Sequence, residues 1–561
     1  MSAAEHLEQA QTHLTAGRLN EAIAAARQAL SEDPENMEAL LLSARIVRRS
    51  GNVEAAAELY AAILEHHPDS AEAEAGMGAC CGLLGLYSDA EASLRRAIAL
   101  KPDYFEAWSF LAEALVEQGK TTEAMGCFER SLSIQPYNPT ALSKYLFHTV
   151  FDPRYDAARI ASLNRDWGGK IAATVEPLDL HVGGDGPLRI GYLSDEFYER
   201  VTARFMAPVL AHHDRTRFHV TGYARNTYRD STTETLEALT DRWRDLSGLD
   251  DRAAAEAIRA DEIDILVLCT SYRAETRTVL AFKPAPIQVC YSNLVSTTGL
   301  PTVDYLITEE ATDPAGSDAL YTEKLVRLSN RNIYQPPEAS PEPSPPPCLA
   351  NGYVTFASFN NLGKVTPAVV VLWSRILQAL PESKLAMKSV NRLADAGARQ
   401  YFLNQFAAHG IEPERIDLLT GDSDLQAHLS RYRSVDIALD PFPCNGGTTS
   451  CEALWMGVPV VTMAGETFMG RQGSNYLGKL GLHDLIASTK DDYVAAAVRL
   501  ASNTTRLQTL RDTLRQEVKA RLFDPASHVA ELETTYMEMA RRQRDGERPG
   551  PFRVQGDRVL A

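Results

Sequence analysis

The 561-residue chain has no long apolar run, no CxxC pair and no excess of positive charge. A bilayer-crossing helix needs roughly 20 consecutive apolar residues, so no membrane span is expected. The eight cysteines fall at Cys80, Cys81, Cys127, Cys269, Cys290, Cys348, Cys444 and Cys451. That scatter excludes a disulfide framework or a zinc ribbon and suits reduced thiols. The net charge is −18. Phosphate backbones would be repelled, so nucleic acid is not an expected partner. The opening residues, Met1-Ser-Ala-Ala-Glu-His-Leu-Glu-Gln, lack the basic and apolar regions of a signal peptide. These absences together predict a cytoplasmic protein.

What is present is a globular composition, 45% hydrophobic and 23% charged, long enough for about three domains. The N-terminal third is periodic. Gly17, Gly51, Gly85 and Gly119 are 34 residues apart, and so are Pro34, Pro68, Pro102 and Pro136, and Ala22, Ala56, Ala90 and Ala124. Three position types sharing that period predict tetratricopeptide repeats, four units and eight helices over residues 1–145. The glycine is expected at the close contact between helices and the alanine where they cross. Such an array offers a concave surface for a protein partner.

Residues 146–186 read as a linker ending in Gly183-Gly184-Asp185-Gly186-Pro187. Strand and helix patterns then alternate over 187–334, which predicts a parallel α/β lobe. Residues 335–350 are proline-dense and read as a semi-rigid linker between lobes. The alternation restarts over 351–543, with helices near 491–501, 505–520 and 527–542 closing this second lobe. Residues 544–561 read as a loose tail.

The chemistry concentrates between Val435 and Ser474. An apolar run, Val435–Leu439, reads as a buried strand ending at Asp440. Pro441 and Pro443 break regular structure. Asn445, Gly446 and Gly447 allow a tight turn and close backbone approach to a ligand. Thr448 and Thr449 are helix-capping types, and residues 450–456 have helical spacing. Free N–H groups at such a helix start favour phosphate. Glu452, one turn further on, can accept bonds from two adjacent sugar hydroxyls. Phosphate beside a diol describes a nucleotide.

The segment DPFPCNGGTTSCEALWMGVPVVTMAGETF closely resembles the nucleotide-binding segment of protein O-GlcNAc transferases and SPINDLY proteins, and the likeness continues through Arg471. The resemblance implies a GT-B fold, two Rossmann-like α/β lobes facing a cleft, behind the repeat α-solenoid. It implies an inverting glycosyltransferase that moves a sugar, by default GlcNAc from UDP-GlcNAc, to Ser or Thr hydroxyls of a protein acceptor recruited by the repeats. Lys364, ending Phe359-Asn360-Asn361-Leu362-Gly363-Lys364, matches the family's phosphate-binding lysine. His428 matches a histidine near the base or ribose. By this resemblance Asn361, Lys364, His428, Asn445, Gly446, Gly447, Thr448, Thr449, Glu452 and Arg471 form the nucleotide-sugar site.

The first lobe also resembles the family but departs where catalysis is proposed. Arg200 and Arg204 stand where histidines are usual, Thr270-Ser271 where Asn-Gly is, and Asn293-Leu294-Val295-Ser296-Thr297 where Gly-Tyr-Pro-Gly-Thr is. Arginine stays protonated and is no general base, but its planar fork can bind a carboxylate or phosphate. Arg200 with Lys364 is therefore the expected catalytic pair, with an acidic-sugar donor of the flagellin-glycosylating type as the alternative and a silent repeat adaptor as a third reading. His212 and His213 read as surface or capping residues. Asp422-Ser423-Asp424 resembles a metal-binding DxD but precedes a helix, so it reads as capping. No metal or other cofactor is expected, since helix dipole, N–H groups and Lys364 can carry the diphosphate charge.

Overall fold

The computed structural model describes residues 2–15, 18–136, 138–179, 186–270, 274–293, 296–331, 334–337, 339–389, 391–422 and 424–560, without the side chains of 274, 275, 292 and 293. The expectations placed on Gly17, 183–185, Ser271, Asn293, 294–295 and Ser423 lie outside that description in whole or in their side chains.

Eight helices from Ala3–Thr15 to Thr121–Ile134 pack in consecutive pairs. Ala22, Ala56, Ala90 and Ala124 are fully buried at the crossings. The periodic glycines have a different cause from the one expected. Gly51, Gly85 and Gly119 take φ of +91°, +78° and +78° just past a helix end, where a side chain is strained. Their period records backbone conformation, and only Gly119 also meets close neighbours.

The expected linker after the repeats is helical for much of its length. Pro139–His148 starts on an Asn138 cap and Ala157–Thr174 on an Asp156 cap. Ile160 and Trp167 bury the second of these helices. A Cβ added at its Gly168 would lie 2.1 Å from the Gly299 oxygen, so the helix lies directly on first-lobe backbone.

The first lobe contributes β1 (Leu188–Ser194), β2 (Phe218–Ala224), β3 (Arg242–Asp245), β4 (Ile265–Thr270), β5 (Ile287–Asn293), β6 (Tyr305–Glu309) and β7 (Lys324–Leu328), all parallel in the order β7-β6-β5-β4-β1-β2-β3. Strand β3, sequence RWRD, has no apolar alternation and was not expected. The second lobe contributes β8 (Thr355–Ser358), β9 (Lys384–Lys388), β10 (Ile416–Leu419), β11 (Ile437–Leu439), β12 (Val460–Met463) and β13 (Ile486–Ala487), parallel in the order β10-β9-β8-β11-β12-β13. The direction of strand addition reverses between β8 and β11. Ligands of open α/β sheets bind beyond the strand ends at such a reversal. The segments leaving β8 and β11 are the ones that carry Lys364 and the glycine turn.

Three boundaries differ from expectation. The tail is not loose: β14 (Phe552–Gln555) adds parallel to β7, and β15 (Arg558–Leu560) pairs antiparallel with it. Phe552 and Val554 alternate into the core, which anchors it. The last long helix, Pro525–Arg544, packs on the first lobe rather than closing the second. Its Tyr536 hydroxyl lies 3.2 Å from that of Tyr192, and its Glu533 carboxylate 3.0 Å from His213. His213 is thus a buried link between chain segments, not a surface residue. The proline-dense segment lies along the second lobe. Arg515 donates to the Pro341 oxygen and Arg433 to that of Glu342, and the segment runs into a short helix, Cys348–Asn351.

Candidate nucleotide-sugar site

Asp440 directly follows β11 and organises the glycine turn. Its buried carboxylate accepts from the Gly446 N–H at 2.6 Å, the Ser450 hydroxyl at 3.1 Å and the Thr462 hydroxyl at 2.8 Å. Burial pushes this carboxyl up to about 6, against the pull of those bonds and of nearby Lys364. A Cβ on Gly446 would sit 2.3 Å from the Ser450 Oγ and 2.9 Å from the Asp440 Oδ1, so no side chain fits. The Asn445 amide donates to the Pro441 oxygen at 3.0 Å, while its buried Oδ1 has no partner. Gly447 holds the N-cap position and Thr448 opens the helix Thr448–Trp455. Neither threonine caps it, contrary to expectation. The first N–H groups of a helix have no intrahelical acceptor, and no side chain caps this one.

Lys364 follows β8. Asn361 accepts the Gly363 N–H at 2.9 Å and shapes the short turn Leu362–Lys364. The Lys364 ammonium then donates to the Asn445 oxygen at 2.7 Å. Besides Asn445 Oδ1, the buried Asn360 Oδ1 and Thr366 Oγ1 nearby have no partner. Polar atoms buried without partners are costly unless something else satisfies them. The Lys364 ammonium is the cation here, while the two amide oxygens can be satisfied only by a donor such as a hydroxyl.

Beside it runs a chain of charges. The Glu452 carboxylate meets His428 Nε2 at 2.9 Å. His428 Nδ1 contacts the Lys388 ammonium, which pairs with Asp422 at 2.5 Å, and Arg431 donates to Asp422 at 2.6 Å. An ammonium can only donate, so His428 accepts at Nδ1 and its proton sits on Nε2, toward Glu452. Burial draws the Lys388 ammonium below its ordinary value despite Asp422. For Asp422 burial acts upward, but the bonds from Lys388 and Arg431 win and hold its carboxyl low. Asp424 caps the helix Leu425–Ser430 through the Ala427 N–H, as expected, whereas Asp422 is an ion-pair partner and not a cap. Sequence reasoning missed Lys388 and Asp440. Both sit at the C-terminal ends of strands, β9 and β11, and that placement was the available signal.

The first lobe meets this site through Arg204, whose guanidinium lies 3.8 Å from Glu452 and donates to Glu199 at 2.6 Å. Arg471 donates to the Thr312 oxygen at 3.1 Å and bridges the lobes. Arg200 stands apart. It is exposed at the start of the helix Val201–His212, stacked on the Tyr198 ring and donating to its hydroxyl at 3.2 Å. The structure thus brings Asn361, Lys364 and residues 445–449 together, joins His428 to Glu452, and does not join Arg200 to them.

This geometry has relatives. The chain matches glycosyl transferase family 41 over residues 176–334 and 347–532. It belongs to that family. Tetratricopeptide repeats match over residues 13–80 and 84–139. Among family 41 relatives, the probable UDP-N-acetylglucosamine–peptide N-acetylglucosaminyltransferase SPINDLY of Solanum lycopersicum is 38% identical over 73% of this chain and 44% of its own length. The corresponding SPINDLY protein of Arabidopsis thaliana is 38% identical over 71% of this chain and 44% of its own. The chain therefore spans about half the length of the curated relatives it matches. A solved structure, a variant of the Thermobaculum terrenum O-GlcNAc transferase, is 35% identical and superposes with a TM-score of 0.83, covering 91% of this chain and 98% of that one. This chain is thus an array of repeats followed by two parallel α/β lobes, as the sequence implied.

Proposed function

We propose that this chain is a protein O-glycosyltransferase that moves a sugar from a nucleotide-sugar donor, by default GlcNAc from UDP-GlcNAc, to Ser or Thr hydroxyls of a protein held by the repeats. The observation that carries the reading is Lys364 fixed over the glycine turn by its bond to the Asn445 oxygen. In this reading the helix N–H groups and Lys364 bind the diphosphate and stabilise the charge that grows on it as the sugar leaves. The Glu452 carboxylate and His428 face the ribose. Attack by the acceptor hydroxyl from the opposite side of the sugar inverts the anomeric carbon.

An acidic donor gains no support from the arginines: Glu199 and Glu452 already engage Arg204, and Arg200 lies on Tyr198. A silent adaptor would leave Lys364 and the glycine turn it meets without a task. Metal independence is part of the proposal, because the carboxylate best placed for an ion, Asp422, is already taken by Lys388 and Arg431. Among the described residues no group of three or more His, Cys, Asp or Glu is placed to hold an ion. The test is a thermal-shift panel of UDP-, GDP- and CMP-sugars, followed by mass spectrometry of a protein acceptor. A nucleotide sugar should raise the melting temperature and, with UDP-GlcNAc as donor, leave one N-acetylhexosamine on Ser or Thr. No shift with any nucleotide would overturn the reading.

A further inference from the structure

The last repeats do not hang free of the catalytic lobes. The Thr121 hydroxyl, at the start of the helix Thr121–Ile134, is buried and donates to the Gly363 oxygen at 2.7 Å. Gly363 is the middle residue of the turn that ends in Lys364. A Cβ on Gly363 would come within 3.5 Å of Thr121 and of Phe151, so that turn is seated against the repeat region. Gly119, two residues before Thr121, sits where a Cβ would lie 2.6 Å from the Phe402 ring and 3.3 Å from the Leu362 oxygen. Two polar contacts fix the same interface away from the turn. Arg392 pairs with Glu117, and Ser88 donates from its hydroxyl to Asp395 at 2.7 Å.

The turn Leu362–Lys364 is thus held from both sides. From within its own lobe, Asn361 accepts the Gly363 N–H. From the repeats, Thr121 donates to the oxygen of the same residue. With both backbone groups of Gly363 tied, the peptide planes on either side of it, the second of which leads into Lys364, have little freedom, and the ammonium is held at the Asn445 oxygen. A group that must meet charge developing in a transition state loses rate when it is displaced by about 1 Å.

We propose that Thr121 is a positioning residue for Lys364, so that the fourth repeat is a structural part of the donor site and not only a platform for the acceptor. This rests on the proposed function of the preceding subsection. Its consequence is that the repeats act on donor turnover even when no protein acceptor is present. Removing residues 1–140 would expose Phe402, Leu362 and Phe151 and untie Gly363, so the isolated lobes are no measure of the intact site.

The test uses the full chain and follows acceptor-free hydrolysis of UDP-GlcNAc by the wild type, Thr121→Val, Thr121→Ser and Ser88→Ala. Valine keeps the shape and removes the hydroxyl. It should lower kcat about tenfold, roughly the worth of one hydrogen bond, with KM within about twofold. Serine should restore kcat to within about twofold. Ser88→Ala loosens the same interface at a point remote from the turn and should leave kcat unchanged. Melting temperature with and without UDP is measured for each variant. Valine turning over like wild type overturns the proposal. So does an equal loss in Ser88→Ala, since general loosening would then suffice. A wild type that neither hydrolyses UDP-GlcNAc nor is stabilised by UDP removes the functional reading itself, an outcome distinct from the first two.

Discussion

The ammonium of Lys364 lies 2.7 Å from the main-chain oxygen of Asn445, and this bond joins the segment leaving β8 to the turn leaving β11. The two segments are 81 residues apart in sequence. They meet because β8 and β11 are neighbours at the point where the sheet reverses its order. The bond uses one hydrogen of the ammonium and leaves two further ones that a diphosphate could accept.

Glu452 and His428 should matter for binding more than for rate. Ribose contacts exist before the reaction as well as during it. Glu452→Ala should raise the nucleotide Kd about 10- to 100-fold, the range of a lost bond to a charged group, with a smaller change in kcat. Isothermal titration with UDP measures this. An unchanged Kd would mean that the pair does not face the nucleotide.

Arg200 should be close to dispensable. Its guanidinium lies on the Tyr198 ring at an exposed position. Arg200→Ala should alter kcat/KM less than about threefold, as exposed substitutions usually do. A strong rise in donor KM, only partly recovered by Arg200→Lys, would instead indicate a carboxylate on the sugar.

Asp440 gives a pH signature. Its folded-state value, raised by burial to about 6 from an ordinary 3.8, means that the folded chain keeps a proton which the unfolded chain releases. The stabilisation from this group is full below about pH 4 and is lost as pH rises through about 6. Asp440→Asn removes that titration. The wild-type-minus-variant difference in unfolding free energy should therefore fall across this window by on the order of 3 kcal/mol. Denaturant melts at several pH values measure it, and a flat difference would contradict the burial argument.

Transfer should persist in excess chelator, because Lys364 and the helix start carry the diphosphate charge. Loss of activity in EDTA restored by Mn²⁺ would make Asp422 and Asp424 ligands, and their roles as ion-pair partner and cap would fail.

Much of this was legible in the sequence. The 34-residue period gave the repeats, and the run Ile265–Cys269 in β4 read directly because buried parallel strands are continuously apolar. The turn residues Asn445, Gly446 and Gly447 stood out because a tight backbone approach restricts side chains so strongly. What stayed hidden depends on partners distant in sequence. Lys388 is one more lysine until Asp422 and His428 fold onto it, and Thr121 is a routine helix start until Gly363 arrives. The tail FRVQ is too short to read as a strand unless β7 offers an edge. The helix Pro525–Arg544 shows an apolar face but not which lobe that face meets.

Lys364 is the residue on which donor turnover should depend most. Donor kcat/KM should be measured for the wild type and Lys364→Ala in the full chain, with folding checked by melting temperature. In a water-poor cleft a charge opposite a leaving diphosphate is worth about 2–4 kcal/mol in the transition state, so the variant should lose roughly 30- to 1000-fold, mostly in kcat. A folded Lys364→Ala protein with unchanged kcat/KM would contradict the placement of the phosphate site, and the catalytic reading with it.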